Sequence, residues 1–202
     1  MIAVIDYGAG NLRSVYNALS HLGADVRVIA DPKDLASAEK IVLPGVGAFG
    51  AGMKALQDTG FIDPIYRAVE AGKPLIGICL GMQYLFERSE EMGEHAGLGL
   101  LAGKVIKFPE NEVRIPHIGW NQLHIQREHS MFRGIADGSY AYFVHSYYVE
   151  PTEPNVVLAC TDYGIHYASV VGKDNIVGIQ CHPEKSQSVG LQFLKNFVEW
   201  KT

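Results

Sequence analysis

Short apolar runs alternate with amphipathic stretches along the first half of the chain. Four runs rich in β-branched and aliphatic residues predict strands, at positions 2–5, 26–30, 41–43 and 75–78. Four stretches in which apolar residues recur every three or four positions predict helices, at 12–22, 51–57, 62–71 and 80–88. The strand runs are apolar at successive positions, so both faces of each strand must be buried. That pattern is typical of a parallel sheet covered by helices on both sides.

The second half has a different pattern, in which strands follow one another through turns. The predicted strands lie at 104–108, 122–126, 140–149, 156–161, 168–171 and 176–180. Residues 173–175 predict the tip of a hairpin, and apolar positions within 189–200 predict a last helix. We therefore predict an α/β fold with a central, mostly parallel but mixed sheet flanked by helices and additional antiparallel strands in the second half. No linker divides the chain, which predicts one domain over residues 1–202.

The composition is that of a globular protein with a sizeable core. Of the 202 residues, 48% are hydrophobic and 19% are charged, so a disordered chain is excluded. The formal net charge of -5 argues against nucleic-acid binding as the main function. No apolar run approaches the roughly 20 residues that span a bilayer, and the start lacks the features of a signal peptide. Three widely spaced cysteines do not form a disulfide framework, which favours a reducing cytoplasm.

The most informative segment is Gly77-Ile78-Cys79-Leu80-Gly81, which lies between a predicted strand and a predicted helix. A nucleophile on such a sharp turn has a strained backbone, and small residues two positions before and after it prevent steric overlap. The helix N-terminus favours the thiolate of Cys79, and the backbone N–H of Leu80 is free to bind a developing oxyanion. The alternative is a buried structural cysteine between packing glycines. Cys160 and Cys181 lie inside strand-like runs and are assigned to packing.

A thiol nucleophile requires a general base and a group that orients the base. His182-Pro183-Glu184 follows a predicted strand and precedes the last helix, so it lies where parallel α/β sheets collect reactive groups. Glu184 is near enough in sequence to accept a hydrogen bond from one imidazole nitrogen and leave the other for Cys79. Five further histidines have no comparable setting and are taken as surface or structural residues: His21, His95, His124, His129 and His166. No spacing typical of a metal site occurs, and we predict neither a metal nor another cofactor.

These motifs resemble the triad-type (class I) glutamine amidotransferases, which hydrolyse glutamine through a cysteinyl thioester and pass the ammonia to a synthase. The resemblance is carried by residues 77–83 (Gly-Ile-Cys-Leu-Gly-Met-Gln) and 182–184 (His-Pro-Glu). Further segments resemble one branch, the glutaminase subunits of imidazole glycerol phosphate synthase in histidine biosynthesis; they are residues 6–11, 44–47, 116–121, 143–147 and 182–186. Residues 116–121 (Pro-His-Ile-Gly-Trp-Asn) select that branch. The resemblance spans the chain and implies a flavodoxin-like architecture.

The resemblance implies a role for each matching residue. Cys79 attacks the side-chain amide of glutamine, His182 carries the proton to the leaving ammonia, and Glu184 orients His182. The loop 45–47 faces the nucleophile and completes the oxyanion hole, whose residues are Val46, Gly47 and Leu80. The glutamine substrate is placed against Gly47, Gln83, Ser146 and Tyr147. Independently of the family, Gln83 lies four positions after Cys79 on a predicted helix, which favours the substrate role over that of a solvated residue.

The chain has no phosphate-binding glycine motif, so the acceptor of the ammonia must bind to another protein. The family's partner is a cyclase with a (β/α)8 barrel, which implies a heterodimer. The resemblance places six residues toward that interface: Asn11, His117, Gly119, Trp120, Asn121 and Lys185. We further expect the isolated subunit to be nearly inactive, because the glycine-rich loop 45–47 can flip a peptide and withdraw an oxyanion donor until the cyclase docks.

Three alternatives remain from the sequence. The glutaminase could serve another synthase, such as one in chorismate, pyridoxal or nucleotide metabolism, although residues 116–121 argue against this. A cysteine hydrolase or peptidase on a similar fold is the second alternative. The third is a non-catalytic binding subunit, against which the intact Cys79, His182 and Glu184 speak.

Overall fold

The computed structural model describes residues 1–201, which form thirteen strands and five α-helices. The strands are β1 (Ile2–Ile5), β2 (Val26–Ile29), β3 (Lys40–Gly45), β4 (Leu75–Cys79), β5 (Phe86–Ser89), β6 (His95–Ala96), β7 (Leu101–Lys107), β8 (His117–Ile125), β9 (Ser139–His145), β10 (Tyr147–Pro151), β11 (Val157–Tyr163), β12 (Ile165–Lys173) and β13 (Ile176–Ile179). The helices are α1 (Leu12–His21), α2 (Phe49–Asp58), α3 (Ile62–Glu70), α4 (Leu80–Tyr84) and α5 (Gln187–Glu199). Short 3-10 turns occur at Pro32–Ser37, Ser130–Phe132, Pro154–Val156 and Pro183–Lys185.

All thirteen strands belong to one connected mixed sheet. Its parallel part has the order β2-β1-β3-β4-β13, so the last strand of the chain lies beside the strand that ends at Cys79. From β13 the sheet continues through antiparallel partners β12, β10 and β7, and a second path runs from β12 through β11 and β8 to β9. The predicted fold class is confirmed, including the antiparallel strands of the second half.

The inner parallel strands β1, β4 and β13 are buried on both faces, because helices cover each side, whereas the edge strand β2 exposes Arg27 and Val28. In β1, Ala3 and Ile5 belong to one core cluster, whereas Ile2 and Val4 belong to the other, as the alternation of a strand requires. The first cluster contains the apolar faces of α2 and α3, and the second contains those of α1 and α5. None of the helices within residues 1–201 is long and apolar enough to cross a membrane.

Several predicted boundaries were wrong. The helix predicted over residues 80–88 ends at Tyr84, because residues 86–89 pair with β7 and β6 and form a strand of their own. The strand predicted over 140–149 is interrupted at Ser146 and forms β9 and β10, which pair with different neighbours. The predicted hairpin tip is confirmed: Lys173 of β12 pairs with Ile176 of β13 across it.

Candidate active site

The backbone turns sharply where β4 meets α4, and Cys79 occupies the turn. Its φ is 56°, in a region that L-residues rarely adopt, and its side chain is buried. Glycine is required two positions before and after Cys79, because a side chain there would overlap with neighbouring backbone atoms. A Cβ at Gly81 would lie 1.8 Å from the carbonyl oxygen of Leu43, and a Cβ at Gly77 would lie 2.5 Å from that of Gly81. The strained turn and its small flanking residues are therefore present as the Gly-x-Cys-x-Gly spacing predicts.

His182 lies beside Cys79 because their strands are neighbours. Ile78 of β4 pairs with Ile179 of β13, so both chains leave the sheet at the same edge, and the Cys79 and His182 side chains line the same cavity. The imidazole Nδ1–H donates to Glu184 Oε1 at 2.8 Å. Since a carboxylate can only accept, the donor is Nδ1, which leaves Nε2 to face the sulfur. The structure thus brings the three residues together in the order thiol, imidazole and carboxylate.

The charge state of His182 follows from its surroundings. Burial disfavours the imidazolium, but the hydrogen bonds to Cys79 and Glu184, together with their negative charges, outweigh it and raise the pKa of His182 to about 10. The structure therefore favours a protonated imidazole beside the sulfur. This is the form that can give a proton to a leaving amine.

Glu184 is held from a second side by Asn11. The Asn11 amide Nδ2 donates to Glu184 Oε1 at 3.3 Å, the same oxygen that accepts from His182. The other oxygen, Oε2, is buried and has no hydrogen-bond partner within residues 1–201. The structure therefore places Asn11, which was predicted to lie toward a partner, next to the Glu184 carboxylate.

A cavity of about 330 Å³ opens over the sulfur. It is lined by Val46, Gly47, Cys79, Leu80, Gln83, Glu91, Pro116, Val144, His145, Ser146, Tyr147, His182 and Lys185. All residues assigned to the oxyanion hole and to the substrate are among them. The sequence reasoning missed Glu91, which accepts a hydrogen bond from the Phe49 N–H at 2.6 Å at the start of α2. No pattern around Glu91 signals this position, since it depends on the turn between β5 and β6.

The loop 45–47 packs directly against the nucleophile turn. Gly45 pairs with Cys79 across β3 and β4, and a Cβ at Gly45 would lie 2.8 Å from the N of Gly81. Gly47 has a φ of 98°, and Val46 before it is 43% exposed. The loop therefore lines the cavity beside Leu80 with Val46 and Gly47, and the Val46 side chain is also partly exposed to solvent.

The residues predicted to face a partner divide into two groups. Trp120 and Gly119 lie on β8, with Trp120 46% exposed, and Lys185 lies at the cavity rim. His117 is turned the other way. Its side chain is only 3% exposed and stacks between Tyr163 and Phe143 in the interior, so it cannot itself contact a partner. Asn121 lies between the two groups. It follows Trp120 on β8, and its amide Nδ2 contacts His117 Nε2 at 3.3 Å.

One exposed aromatic residue near Trp120, Tyr140, was missed by the sequence reasoning, whereas Ile118 lies within the segment 116–121 that selected the branch. Ile118 is 59% exposed and Tyr140 is 54% exposed, and both lie on the same outer side of the β8–β9 hairpin. We call Ile118, Trp120, Tyr140 and Tyr142 the β8–β9 face. The signal was present in the strict alternation of β9, in which Ala141, Phe143 and His145 are buried and their neighbours are not.

Comparisons with known proteins agree with this geometry. The chain belongs to the class-I glutamine amidotransferase family, whose family model matches residues 3–200. It is 50% identical over 200 residues to the imidazole glycerol phosphate synthase subunit HisH of Desulfitobacterium hafniense, covering 99% of this chain and 94% of the relative. The HisH subunit of Aquifex aeolicus is 52% identical over 195 residues, covering 96% of this chain and 94% of that relative. The predicted family, and with it a glutamine-hydrolysing enzyme, is confirmed.

Solved structures show the same fold at low sequence identity. A glutamine amidotransferase crystal structure superposes with a TM-score of 0.76 at 20% identity, covering 98% of this chain and 99% of that chain. The structure of PurLQS from Thermotoga maritima gives a TM-score of 0.77 at 20% identity, covering 98% and 95%. Among residues 1–201, no cluster of three or more His, Cys, Asp or Glu side chains could hold a metal ion.

Proposed function

We propose that Cys79, His182 and Glu184 hydrolyse glutamine to glutamate and ammonia, and that the ammonia passes to the cyclase subunit of an imidazole glycerol phosphate synthase. The observation that carries the proposal is the buried thiol–imidazole–carboxylate arrangement at the open end of a cavity. The HisH relatives supply the reaction and the pathway.

The reaction divides into two steps that use the same imidazole. The sulfur of Cys79 attacks the side-chain carbonyl of glutamine, a C–S bond forms, and the imidazolium of His182 protonates the departing nitrogen as the C–N bond breaks. The neutral imidazole then takes a proton from water, whose oxygen attacks the thioester, and glutamate leaves as the thiolate returns. Glu184 keeps the Nδ1–H tautomer and orientation of His182 throughout.

The oxyanion of each tetrahedral intermediate requires N–H donors. Leu80 supplies one, because it is the first residue of α4, and the loop 45–47 lies opposite, with Gly47 in a conformation that a glycine adopts readily. We propose that this loop supplies the second donor only when the partner is bound. Loss of one donor costs about 2.7–4 kcal/mol, so the isolated chain should turn over roughly 100–1,000-fold more slowly.

The cavity has charges that suit an amino acid. Glu91 lies on its wall and matches the α-ammonium group of glutamine, while Gln83 and the Ser146–Tyr147 backbone offer polar groups to the rest of the molecule. Gln83 itself is buried, and its Nε2 donates to the carbonyl of Tyr147 at 3.0 Å. The substrate therefore meets a fixed wall of the pocket, which favours a defined orientation of its amide above the sulfur.

The β8–β9 face is the proposed docking surface for a (β/α)8-barrel cyclase. Val144 of β9 and Lys185 also line the cavity, and the Lys185 ammonium lies 5.8 Å from the Tyr142 ring. The aromatic face therefore continues into the cavity mouth, so a partner bound there would cover the route that ammonia takes. Aromatic residues carry much of the binding energy at such surfaces.

The test measures glutamate release from glutamine and glutamine-dependent product formation, with the chain alone and with the cyclase. We expect the chain alone to turn over roughly 100–1,000-fold more slowly than the complex with the cyclase. Cys79→Ala should reduce glutamine-dependent activity by at least ~10⁴-fold but leave ammonium-dependent synthesis by the complex intact. Cleavage of other amides but not of glutamine would instead indicate a different cysteine hydrolase, and full turnover by the isolated chain would contradict the loop hypothesis.

Docking has its own test. Trp120→Ala should weaken cyclase binding by about 30-fold, as expected for a ~2 kcal/mol hot spot. Val28→Ala is the matched control, since Val28 is 42% exposed on β2 at the opposite end of the sheet. Equal effects of the two substitutions would remove the β8–β9 face as the docking surface.

A further inference from the structure

Gln180 is a buried polar side chain directly behind the nucleophile. It follows β13, two positions before His182, is fully buried, and does not line the cavity. Its amide Nε2 lies 3.8 Å from Cys79 Sγ, and its Oε1 lies 3.1 Å from Gln83 Nε2. The side chain therefore bridges the reacting sulfur and a residue of the proposed glutamine pocket.

The direction of these hydrogen bonds is determined by one carbonyl group. The backbone oxygen of Tyr147 can only accept, and it receives Gln83 Nε2 at 3.0 Å and His145 Nδ1 at 2.8 Å. The Gln83 amide must therefore present its nitrogen on this side, and the same nitrogen donates to Gln180 Oε1. Gln180 consequently presents its own N–H to the sulfur, and a flipped amide would place two N–H groups against each other.

The strand itself does not need this side chain. Pairing at this position uses the backbone, where the Gln180 N–H donates to the Ser169 carbonyl at 2.9 Å. An aliphatic residue would fill the same interior without the desolvation cost of a buried amide. The amide is nevertheless satisfied at both ends, by Gln83 and by the sulfur.

We propose that Gln180 is a positioning residue for glutamine hydrolysis: its N–H binds the sulfur of Cys79 as a hydrogen-bond acceptor, while its carbonyl holds Gln83 against the substrate. This inference rests on the proposed glutaminase function. A thiolate accepts hydrogen bonds better than a thiol, whose own proton points to the Val144 carbonyl at 3.9 Å. Gln180 and His182 thus flank the sulfur from two sides, one as a fixed donor and the other as the proton carrier.

The decisive measurement is the pH dependence of Cys79 alkylation by iodoacetamide, which does not require glutaminase activity. In the full chain, Gln180→Met removes the donor and should move the half-maximal alkylation rate to higher pH by about one unit. Gln180→Glu keeps the oxygen that accepts from Gln83 but replaces the N–H by a carboxylate, so it should move the profile further in the same direction. Labelling of Cys79→Ala gives the background from Cys160 and Cys181, which are both buried.

Ser169→Ala is the matched control, because the Ser169 hydroxyl is buried in the adjacent strand and has no hydrogen-bond partner within residues 1–201. It should leave the alkylation profile and the kinetics unchanged. In the complex with the cyclase, Gln180→Met should also raise KM for glutamine about tenfold through Gln83, whereas Gln180→Glu should lower kcat with a smaller change in KM.

The two readouts separate the possible failures. If both Gln180 variants fold and alkylate with the wild-type pH profile, Gln180 is a structural residue and the proposal is overturned. If the complex of the wild-type chain does not hydrolyse glutamine, the proposed function fails, but the alkylation shift still decides the role of Gln180. Should Gln180→Met not fold, the nearly isosteric Gln180→Glu carries the same test.

Discussion

The parallel and the antiparallel parts of the sheet are buried in different ways. Every residue of β1, β4 and β13 is buried, whereas β9 alternates between buried and partly exposed positions. The inner strands of the parallel part therefore have no free face, and the side chains proposed for catalysis lie where the chain leaves these strands, at Cys79 and His182. Within the antiparallel part, β8 and β9 keep one face free, which forms the β8–β9 face and contributes Val144 to the cavity wall.

The histidines of the two parts differ in the same way. His182 lies at the end of a parallel strand, where hydrogen bonds to Cys79 and Glu184 raise its pKa above the usual value despite its burial. His145 lies inside the antiparallel part, where burial lowers its pKa to about 3. Its Nδ1–H donates to the Tyr147 carbonyl, and its neighbour His117 contacts its Nε2 at 3.2 Å. One imidazole is prepared to carry a proton, and the other is held neutral as part of the pocket wall.

The largest expected effect tests the tight packing of the parallel part. Gly81→Ala should destabilise the chain by about 4 kcal/mol or more and abolish glutaminase activity, because its Cβ would lie 1.8 Å from the Leu43 carbonyl oxygen. Gly119→Ala in β8 is the matched comparison. No atom outside its chain neighbours lies within 4 Å of the added Cβ, so only the strain of its φ of 136° remains, at about 1 kcal/mol. Urea unfolding measures the free energy of unfolding of both variants. Similar losses of stability in the two variants would show that the parallel and antiparallel parts are equally constrained.

Some features of the fold and the site could be predicted from the sequence, and others could not. Cys79 at the end of β4 and the His182–Glu184 segment after β13 could be located because glycine spacing and strand–turn–helix order are local signals. Gln180 and Glu91 could not, since their positions depend on hydrogen bonds between segments far apart in sequence. The helix predicted to Arg88 was wrong because pairing with β7 outweighed local spacing. His117 was assigned by motif rather than by strand alternation, and alternation is what turns its side chain inward.

A second, smaller effect concerns the neutral histidine. Since the folded pKa of His145 lies below the unfolded value of 6.5, the unfolded chain binds more protons between these values. The stability that His145 contributes is present above pH 6.5 and is lost as the pH falls toward 3, at about 1.4 kcal/mol per pH unit. His182 acts in the opposite direction: its stabilisation is present below pH 6.5 and is lost as the pH rises through about 10.

Urea unfolding from pH 4 to 6.5 measures the first of these contributions. His145→Asn keeps an N–H that can donate to the Tyr147 carbonyl but does not titrate, so the acid loss of stability should become less steep. His21→Asn, at an exposed position of α1, is the control and should keep the wild-type slope. An unchanged slope in His145→Asn would mean that this imidazole is not held neutral by the antiparallel part.

The smallest expected effect concerns the free face itself. Trp120 is 46% exposed, and its only ring contact in the described part of the chain is an edge contact to Tyr142 at a centroid distance of 5.9 Å. Trp120→Ala should therefore change the free energy of unfolding of the isolated chain by no more than about 0.5 kcal/mol, as measured in urea. A large aromatic side chain that contributes so little to folding but, as we propose, strongly to cyclase binding owes its position to the partner. A loss of several kcal/mol in the isolated chain would instead place Trp120 in the core, and the contrast between a closed parallel part and an open antiparallel part would no longer hold at β8.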